Sequence, residues 1–371
     1  MSIIKSLAQL PEGQREFIEF CREREENVFL EGPPWSGKSL ICLYSLQNIV
    51  KENNVMALFM VSNNAMYGYM SMALKELGVT DNVNVETKNK LFWNMASEMR
   101  LSVNMDLDYY DNYDSILTDL LNEDIEQKYE LVIVNEVQDY LTKEWELIKR
   151  IAKRIVCYGD FKQAIYDDKV ERDTIIKDCV HKQLVYLKNK QWTDKLMRVR
   201  EYFFGEDDFL KNGDNNYLMQ PLATDLQYRT IDVKYKDELR TVANVINELE
   251  GKNSRTAIIC PNNNRFTELS IYLGNKNIAH THYAINRELR HHDFTCTIPL
   301  FISLFNAEGF QFDNVILFGF NEENYIIEMK REENKLKNLL YVALTRAKDT
   351  TYVIRNENTV KELKGFDGEA I

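Results

Sequence analysis

The chain has 371 residues, 44% of them hydrophobic, which is enough for two domain cores or for one large α/β unit with insertions. Its net charge of −12 excludes a general basic surface for polyanions, so any nucleic acid must bind in a local groove. The six cysteines include no CxxC pair, which argues against a zinc site or a disulfide framework and indicates a reduced, cytoplasmic protein. No apolar run approaches the roughly 20 residues of a transmembrane helix.

Residues 32–39 are the most informative stretch, because their sequence, GPPWSGKS, has the GxxxxGK[ST] spacing of a phosphate-binding loop. A helix is predicted at 7–25, an apolar strand at 27–30 and a helix after the loop, which is the context that this motif requires. The loop amides would bind phosphate oxygens, Lys38 would reach the β- and γ-phosphates, and Ser39 would ligate Mg²⁺. The ATP contacts predicted from the motif are Gly32, Pro33, Pro34, Trp35, Ser36, Gly37, Lys38 and Ser39.

Three features allow two interpretations each. Gln14, one helix ahead of the loop, can read an adenine edge through its amide, although an isolated glutamine is more often a surface residue. Trp35 either contacts the nucleotide or packs against the sheet edge. Residues 280–293 contain all but one of the five histidines and form either a metal cluster or a polar loop. We favour the loop, because a metal site needs a consistent ligand set with a supporting shell.

The remainder of the first half alternates strands and helices. Strands are predicted at 55–62, 83–87, 130–134 and 154–158, with a helix at 66–77. Residues 92–126 are acidic and tyrosine-rich, and we interpret them as a short, mostly helical insertion because they lack the glycine, proline and serine of a linker. The strand at 130–134 leads into Asn135 and Glu136, where a phosphate-loop protein keeps its Mg²⁺ contact and its water-activating carboxylate.

The polar stretch at 204–228 is the best candidate for a domain boundary, and it divides the chain into domains at 1–225 and 226–371. The alternation then resumes. Strands are predicted at 233–235, 255–260 and 315–318, helices at 236–249 and 266–273, and a final helix and strand at 335–354. The predicted fold class is therefore α/β with two sheet-containing units.

The ordered set of motifs resembles the UvrD/Rep/PcrA-type superfamily 1A helicases. The most specific piece is 340–348, LYVALTRAK, which is nearly identical to motif VI of that family. The resemblance continues in the Q-motif at Gln14, the Walker A loop, motif Ib at Thr87, motif II at 135–139 (NEVQD), motif III at 159–166 (GDFKQAIY) and motif V at 306–313 (NAEGFQFD). It implies two RecA-like domains with parallel sheets, ATP in the cleft between them, single-stranded DNA across both, and a 1B-like insertion at 92–126.

The resemblance also implies roles for individual residues. Glu136 would polarise the attacking water, Gln163 would sense the γ-phosphate, and Arg346 would act as an arginine finger from the second domain and contact ATP. Ser39 and, through a water, Asn135 would hold Mg²⁺. The DNA contacts would include Asn63, Thr87 and Tyr166.

Several positions depart from the family pattern. Asn135 replaces the Walker B aspartate, which removes one negative charge from the Mg²⁺ shell. After motif III, Lys190 and Gln191 stand where the family has an adenine-stacking tyrosine and a second arginine. On the DNA side, Asp168 replaces a stacking aromatic residue, and in motif V Glu308 replaces a lysine and Gln311 a glutamate. These changes predict weak DNA affinity unless a partner contributes.

Motif IV, at 257–262, and motif V lie too close together to hold the family's large 2B insertion, so we expect a minimal form of the motor. The function expected is an ATP- and Mg²⁺-dependent DNA helicase or translocase, or a DNA-stimulated ATPase. It would act on single-stranded or partly duplex DNA with a nuclease or effector subunit, in DNA repair or anti-phage defence. The alternative is a degenerate ATP-binding regulatory module that switches a partner with little or no unwinding.

Overall fold

The computed structural model describes residues 4–104, 106–186, 191–205, 216–219 and 226–368, which contain two parallel sheets. The first sheet has seven strands in the order β3-β2-β4-β5-β1-β6-β7. Their bounds are β1 (Val28–Glu31), β2 (Ala57–Val61), β3 (Val83–Thr87), β4 (Leu131–Asn135), β5 (Ile155–Gly159), β6 (Val180–Tyr186) and β7 (Asn216–Met219). Strands β1, β2, β4 and β5 are buried along their whole length, as their continuous apolar sequences predict for a sheet covered on both faces.

Helices cover both faces of this sheet. They are α1 (Glu12–Arg22), α2 (Lys38–Asn53), α3 (Asn64–Leu77), α4 (Lys88–Glu98), α5 (Tyr109–Asn122), α6 (Thr142–Ile151), α7 (Arg172–Asp178) and α8 (Gln191–Phe204). The insertion predicted at 92–126 consists of most of α4 together with α5, which packs on α4 and α6. Its helical character is therefore confirmed.

The second sheet has five strands in the order β10-β9-β11-β12-β8. Their bounds are β8 (Gln227–Asp232), β9 (Thr256–Ile259), β10 (Leu300–Phe301), β11 (Phe312–Leu317) and β12 (Ala347–Arg355). The helices of this part are α9 (Glu238–Leu249), α10 (Asn263–Asn275), α11 (Leu304–Ala307), α12 (Tyr325–Glu332), α13 (Leu336–Leu344) and α14 (Lys361–Lys364). The predicted α/β class with two parallel sheets is confirmed.

One sequence prediction about the segment between the sheets is wrong. The predicted strand at 233–235 is irregular and leads into the 3₁₀ helix Tyr235–Asp237, whereas the strand is β8 at Gln227–Asp232. Strand β8 pairs only with β12 at the sheet edge, so its partly exposed polar residues resemble a loop in sequence. Within the polar stretch at 204–228, β7 pairs with β6 in the first sheet, and β8 of the second sheet begins at Gln227. The division into domains at 1–225 and 226–371 stays a prediction.

The two sheet-containing halves share a continuous apolar core. Leu30 of β1 and Leu340 of α13 belong to the same cluster of buried side chains. Helix α13 packs on α8 and on the 3₁₀ helix Phe161–Gln163, while α3 packs on the 3₁₀ helix Asn286–His291 of the second half. These contacts bring the carboxyl ends of the first sheet against the second half. Among the described residues, no helix is both long and apolar enough to cross a bilayer.

Candidate functional site

The phosphate-binding loop connects the end of β1 to the start of α2. Gly37 caps α2 with a φ of 82°, and a Cβ atom there would lie 2.4 Å from Gln14 Nε2. Glycine is therefore required at this position both by the backbone conformation and by the close approach of Gln14. The loop takes the predicted place between a buried strand and a helix N-terminus, which is a ready site for phosphate oxygens.

Gln14 lies behind the loop and supports it. Its Nε2 donates a hydrogen bond to the Ser36 carbonyl at 3.1 Å, and the side chain is fully buried. Its Oε1 has no hydrogen-bond partner among the described residues, and neither does the Ser36 hydroxyl. Buried acceptors without partners are uncommon, so two polar atoms of this region remain available for a ligand. The adenine contact of Gln14 stays a prediction.

Lys38 folds back over the loop. Its Nζ donates hydrogen bonds to the carbonyls of Gly32 at 2.6 Å and Pro33 at 3.1 Å. Burial lowers the pKa of the Lys38 ammonium, while the nearby carboxylates of Glu136 and Asp160 act in the opposite direction. The ammonium can therefore exchange loop carbonyls for phosphate oxygens by a rotation of its own side chain.

Asn135 and Ser39, the predicted Mg²⁺ residues, both lie against Tyr158. Asn135 ends β4, is fully buried, and donates from Nδ2 to the Tyr158 hydroxyl at 2.7 Å. Tyr158 also forms a side-chain hydrogen bond with Ser39, and burial raises the pKa of the Tyr158 hydroxyl well above its usual value. Asn135 Oδ1 has no hydrogen-bond partner within the described part of the chain. An amide oxygen and a hydroxyl are hard oxygen donors, so this pair fits Mg²⁺, with one charge fewer than an aspartate would supply.

Glu136, the candidate for orienting water, follows β4 in a left-handed backbone conformation with a φ of 49°. Its Oε2 accepts a hydrogen bond from Gln138 Nε2 at 2.9 Å. Gly309 of the second half lies so close that a Cβ atom there would be 3.5 Å from Glu136 Oε1. Such a strained position next to a strand end is common at functional sites. The second half of the molecule therefore covers the carboxylate directly.

Arg346 crosses from the second half to Gln163 in the first. Its Nη2 donates to Gln163 Oε1 at 2.5 Å, and its Nε donates to the Val342 carbonyl at 2.9 Å. Gln163 in turn donates from Nε2 to Asp160 Oδ2 at 3.2 Å. The arginine is 3% exposed, and burial lowers the pKa of its guanidinium. Two residues that the resemblance assigns to the γ-phosphate thus touch each other across the cleft.

Arg200 is a buried cation that the sequence did not single out. It lies in α8, is 1% exposed, and donates from Nη1 to Asp160 Oδ2 and to the Tyr341 hydroxyl, each at 3.3 Å. It is also close enough to Lys38 to lower the pKa of that ammonium. Its position within an amphipathic helix gives no sequence signal. The side chain of Gln191, at the position expected for a second arginine, lies outside the described part of the chain. The whole of Lys190 lies outside it as well.

Three carboxyl groups, those of Glu136, Asp139 and Glu308, meet in one cluster. Gln138 Nε2 also approaches Glu308 Oε1 at 3.4 Å, so one amide bridges acids from both halves. Burial, together with the charge of Glu136, raises the pKa of Asp139 to about 7. Burial and the neighbouring acids Asp139 and Glu136 raise the pKa of Glu308 well above its usual value. Both shifts have the same direction, so burial and mutual repulsion favour the neutral form of these carboxyl groups.

A pocket of about 180 Å³ joins these groups. Trp35, Lys38, Glu136, Gln163 and Arg346 all line it. The second half adds two cations that the sequence analysis missed, Arg255 and Lys348, which flank the Asp313 carboxylate at 3.6 and 3.5 Å. Burial and the charge of Arg255 lower the pKa of Lys348. The pocket therefore combines phosphate-loop amides, one carboxylate and several cations, which is the composition suited to a polyphosphate.

The predicted DNA contacts are residues of the first half that touch the second half. Asn63 caps α3 and donates from Nδ2 to the Phe305 carbonyl at 3.3 Å. Thr87 Oγ1 accepts from Arg290 Nη2 at 3.4 Å. Tyr166 packs on the Phe305 ring with centroids 5.7 Å apart. All three residues are therefore at the junction of the two halves, and their contact with DNA stays a prediction.

Asp168, at the position expected for a stacking aromatic residue, is exposed and has a φ of 54°.

Histidines of the segment 280–293 form hydrogen bonds with other side chains of the protein. His280 Nε2 is 2.8 Å from Ser270 Oγ, and His292 Nδ1 is 3.2 Å from the Tyr283 hydroxyl. Across the described ranges, no group of three or more histidine, cysteine, aspartate or glutamate side chains is arranged to hold a metal ion.

Comparison with known proteins gives one family match. Residues 284–358 match the UvrD-like helicase C-terminal domain. The matched part contains β11, α13 and β12, and it includes Gly309, Phe310, Gln311, Arg346 and Lys348, which line the pocket from the second half. No curated protein matches the chain. The resemblance to UvrD/Rep/PcrA-like superfamily 1 helicases is confirmed by this match.

Proposed function

We propose that this chain, whose residues 284–358 are similar to the UvrD-like helicase C-terminal domain, is an ATP-dependent DNA helicase or translocase, or a DNA-stimulated ATPase. The observation that carries the proposal is the 2.5 Å contact between Arg346 and Gln163 across the cleft. The contact lies in a pocket that Lys38 and Glu136 also line. Cations from two domains around one carboxylate suit phosphoryl transfer, because its transition state needs charge neutralisation and a positioned nucleophile.

Each residue has a distinct task in this proposal. The loop amides and Lys38 bind the phosphates, Glu136 orients the attacking water, and Arg346 neutralises charge on the transferred group. Ser39 and Asn135 would hold Mg²⁺, which would supply positive charge against the phosphates. Gln163 belongs to the first half and Arg346 to the second, so a γ-phosphate that competes for the guanidinium alters the contact between the halves. Hydrolysis is in this way coupled to domain movement.

The nucleic-acid side of the proposal is single-stranded or partly duplex DNA, contacted by Asn63, Thr87 and Tyr166. The net charge of −12 and the exposed carboxylate of Asp168 support weak binding by this chain alone. We therefore propose that a protein partner, such as a nuclease or effector subunit, supplies further DNA contacts. DNA repair and anti-phage defence are the settings in which such an assembly would act.

ATP turnover with and without single-stranded DNA tests the proposal. Lys38→Ala removes a phosphate contact, and Glu136→Gln removes the water-orienting carboxylate, so each is expected to lower DNA-stimulated turnover by about 10²-fold or more. Lys51→Ala, at the opposite end of α2, is the matched control and should turn over ATP normally. ATP binding without turnover in the native protein, with or without DNA, contradicts the proposal.

A second candidate is a regulatory module that binds ATP and switches a partner. Asn135 favours it, because a neutral amide that already donates to Tyr158 is a weaker Mg²⁺ contact than a carboxylate. The same experiment separates the two candidates. The regulatory module predicts nucleotide binding that depends on Lys38 and negligible turnover under every condition, whereas the motor predicts turnover that DNA stimulates.

A further inference from the structure

Trp35 is held in an unfavourable backbone conformation inside the phosphate-binding loop. Its φ is 68°, in the left-handed region that glycine adopts readily and bulky residues rarely do. Strain of this kind persists only where surrounding contacts hold the residue in place, and it is found at functional sites. The contacts of the indole ring therefore indicate what the strain maintains.

The indole ring spans the cleft between the two halves. It is 3% exposed, and its Nε1–H donates a hydrogen bond to the Thr345 carbonyl at 2.8 Å. Thr345 lies 310 positions further along the chain and directly precedes Arg346. Through this hydrogen bond, Trp35 connects the phosphate loop directly to the peptide that carries Arg346.

Thr345 fixes the arginine in two ways. Its Oγ1–H donates to the Tyr341 carbonyl at 2.8 Å, which ties it to the last turn of α13. The same Oγ1 accepts a hydrogen bond from Arg346 Nη2 at 2.9 Å. Its carbonyl is the group that Trp35 holds, so the backbone of Thr345 and the guanidinium of Arg346 respond together to any movement of the indole.

We propose that Trp35 is a positioning residue: it holds the Thr345–Arg346 peptide against the phosphate loop and passes movements of the loop to the arginine. The proposal rests on the function proposed above and adds a residue to it. Phosphate binding engages the amides next to Trp35, so the loop backbone and the indole move together. Glycine at this position would relieve the backbone strain but would break the connection.

The main test compares Trp35→Phe with Trp93→Phe. Both changes remove an indole N–H and keep an aromatic ring, but the Trp93 N–H bonds to the Tyr109 hydroxyl in the insertion, away from the pocket. For Trp35→Phe, kcat for ATP should fall about three- to tenfold, the usual effect of one lost hydrogen bond, while KM changes less than twofold. Trp93→Phe should match the native protein. A change confined to KM overturns the proposal.

The second arm asks whether Trp35 acts through Arg346. In an Arg346→Ala background, measured by single-turnover assays that resolve slow hydrolysis, Trp35→Phe should have less than a twofold effect, because the group that it positions is absent. An equal fold reduction in both backgrounds would show that Trp35 acts independently and overturns the proposal.

The third arm needs no catalysis, so it separates failure of this inference from failure of the proposed function. Hydrogen–deuterium exchange of peptides covering residues 340–350 should be faster in Trp35→Phe and Trp35→Gly than in the native protein and Trp93→Phe. Because Trp35→Gly relieves the strained φ, faster exchange in that variant would not be explained by strain in the loop or by a folding defect that such strain causes. If the native protein shows no ATP turnover, the proposed function fails, and this measurement still decides the inference. Unchanged exchange in both variants overturns it.

Discussion

Replacing Glu308 with glutamine should change how the stability of this protein depends on pH. Glu308 is 1% exposed and lies beside Asp139 and Glu136, with Gln138 bridging two of the three acids. Burial raises the pKa of Asp139 from its usual 3.8 to about 7, with the charge of Glu136 as a further cause. Lys88, whose charge opposes this shift, donates its hydrogen bonds to the Asp139 main-chain carbonyl and to the Glu144 carboxylate. The cluster therefore retains a proton near neutral pH.

The sign of the effect follows from proton counting. Between pH 3.8 and about 7 the folded state binds more protons than the unfolded state, so the free energy of unfolding falls as pH rises. Glu308 changes in the same direction, because burial and the charges of Asp139 and Glu136 raise the pKa of its carboxyl well above the usual value, and a difference of one in pKa corresponds to about 1.4 kcal/mol. Glu308→Gln keeps the shape of a protonated carboxyl but has no proton to lose, so the variant should be more stable than the native protein at pH 7. Near pH 4.5 the two should be similar.

Thermal unfolding followed by circular dichroism at pH 4.5, 5.5, 6.5 and 7.5 measures this difference. A gain of about 1–3 kcal/mol at neutral pH would raise Tm by about 1–4 °C in a chain of 371 residues. Glu323→Gln is the control, since it makes the same chemical change at an exposed position and should leave the pH dependence unaltered. Parallel pH profiles for the native protein and Glu308→Gln would refute the reasoning, because they would mean that the cluster holds no extra proton.

Three further predictions concern the same cleft. Asn135→Asp should lower the Mg²⁺ concentration for half-maximal ATP turnover, because it restores a carboxylate that Tyr158 can stabilise; an unchanged Mg²⁺ titration would contradict this. Arg290→Ala should destabilise the protein by about 1–3 kcal/mol in denaturant unfolding, since the guanidinium bonds to the first half and is little exposed, whereas exposed Arg287→Ala should have no effect. Gly37→Ala should abolish nucleotide binding in a filter assay, because its Cβ would lie 2.4 Å from Gln14; normal affinity would show that the loop adapts.

The residues that sequence predicted well are those whose spacing is set by a short local motif. The phosphate loop lies between a strand and a helix, and Asn135 and Glu136 lie at a strand end, because local apolar patterns determine both places. Arg346 was found only because its motif resembles a known one, and nothing in its spacing predicts the bond to Gln163.

The residues that sequence missed depend on contacts between distant segments. Arg200 reaches Asp160 from α8, whose amphipathic pattern predicts a buried face but not the partner of a single buried charge. The sequence allows two interpretations of Trp35, because the Thr345 carbonyl that accepts its N–H hydrogen bond lies in the other half of the chain. The sequence predicts a strand at 233–235 and not β8 at Gln227–Asp232, since a strand at the edge of a sheet carries no strong apolar pattern.

The contacts across the cleft join both the pocket and the predicted DNA contacts to the second half of the chain. Three of them, Trp35 to Thr345, Gln163 to Arg346 and Gln138 to Glu308, join the pocket side of the first half to the second. Two more, Asn63 to Phe305 and Arg290 to Thr87, join the predicted DNA side. A shift of the second half that breaks the first set must also strain the second set, because both belong to the same packed interface. We therefore expect binding at one side to change the free energy of binding at the other, and by linkage the effect is reciprocal. A change in ATP affinity caused by DNA and a change in DNA affinity caused by ATP should then appear together and by the same factor, and a variant that loses one should lose the other.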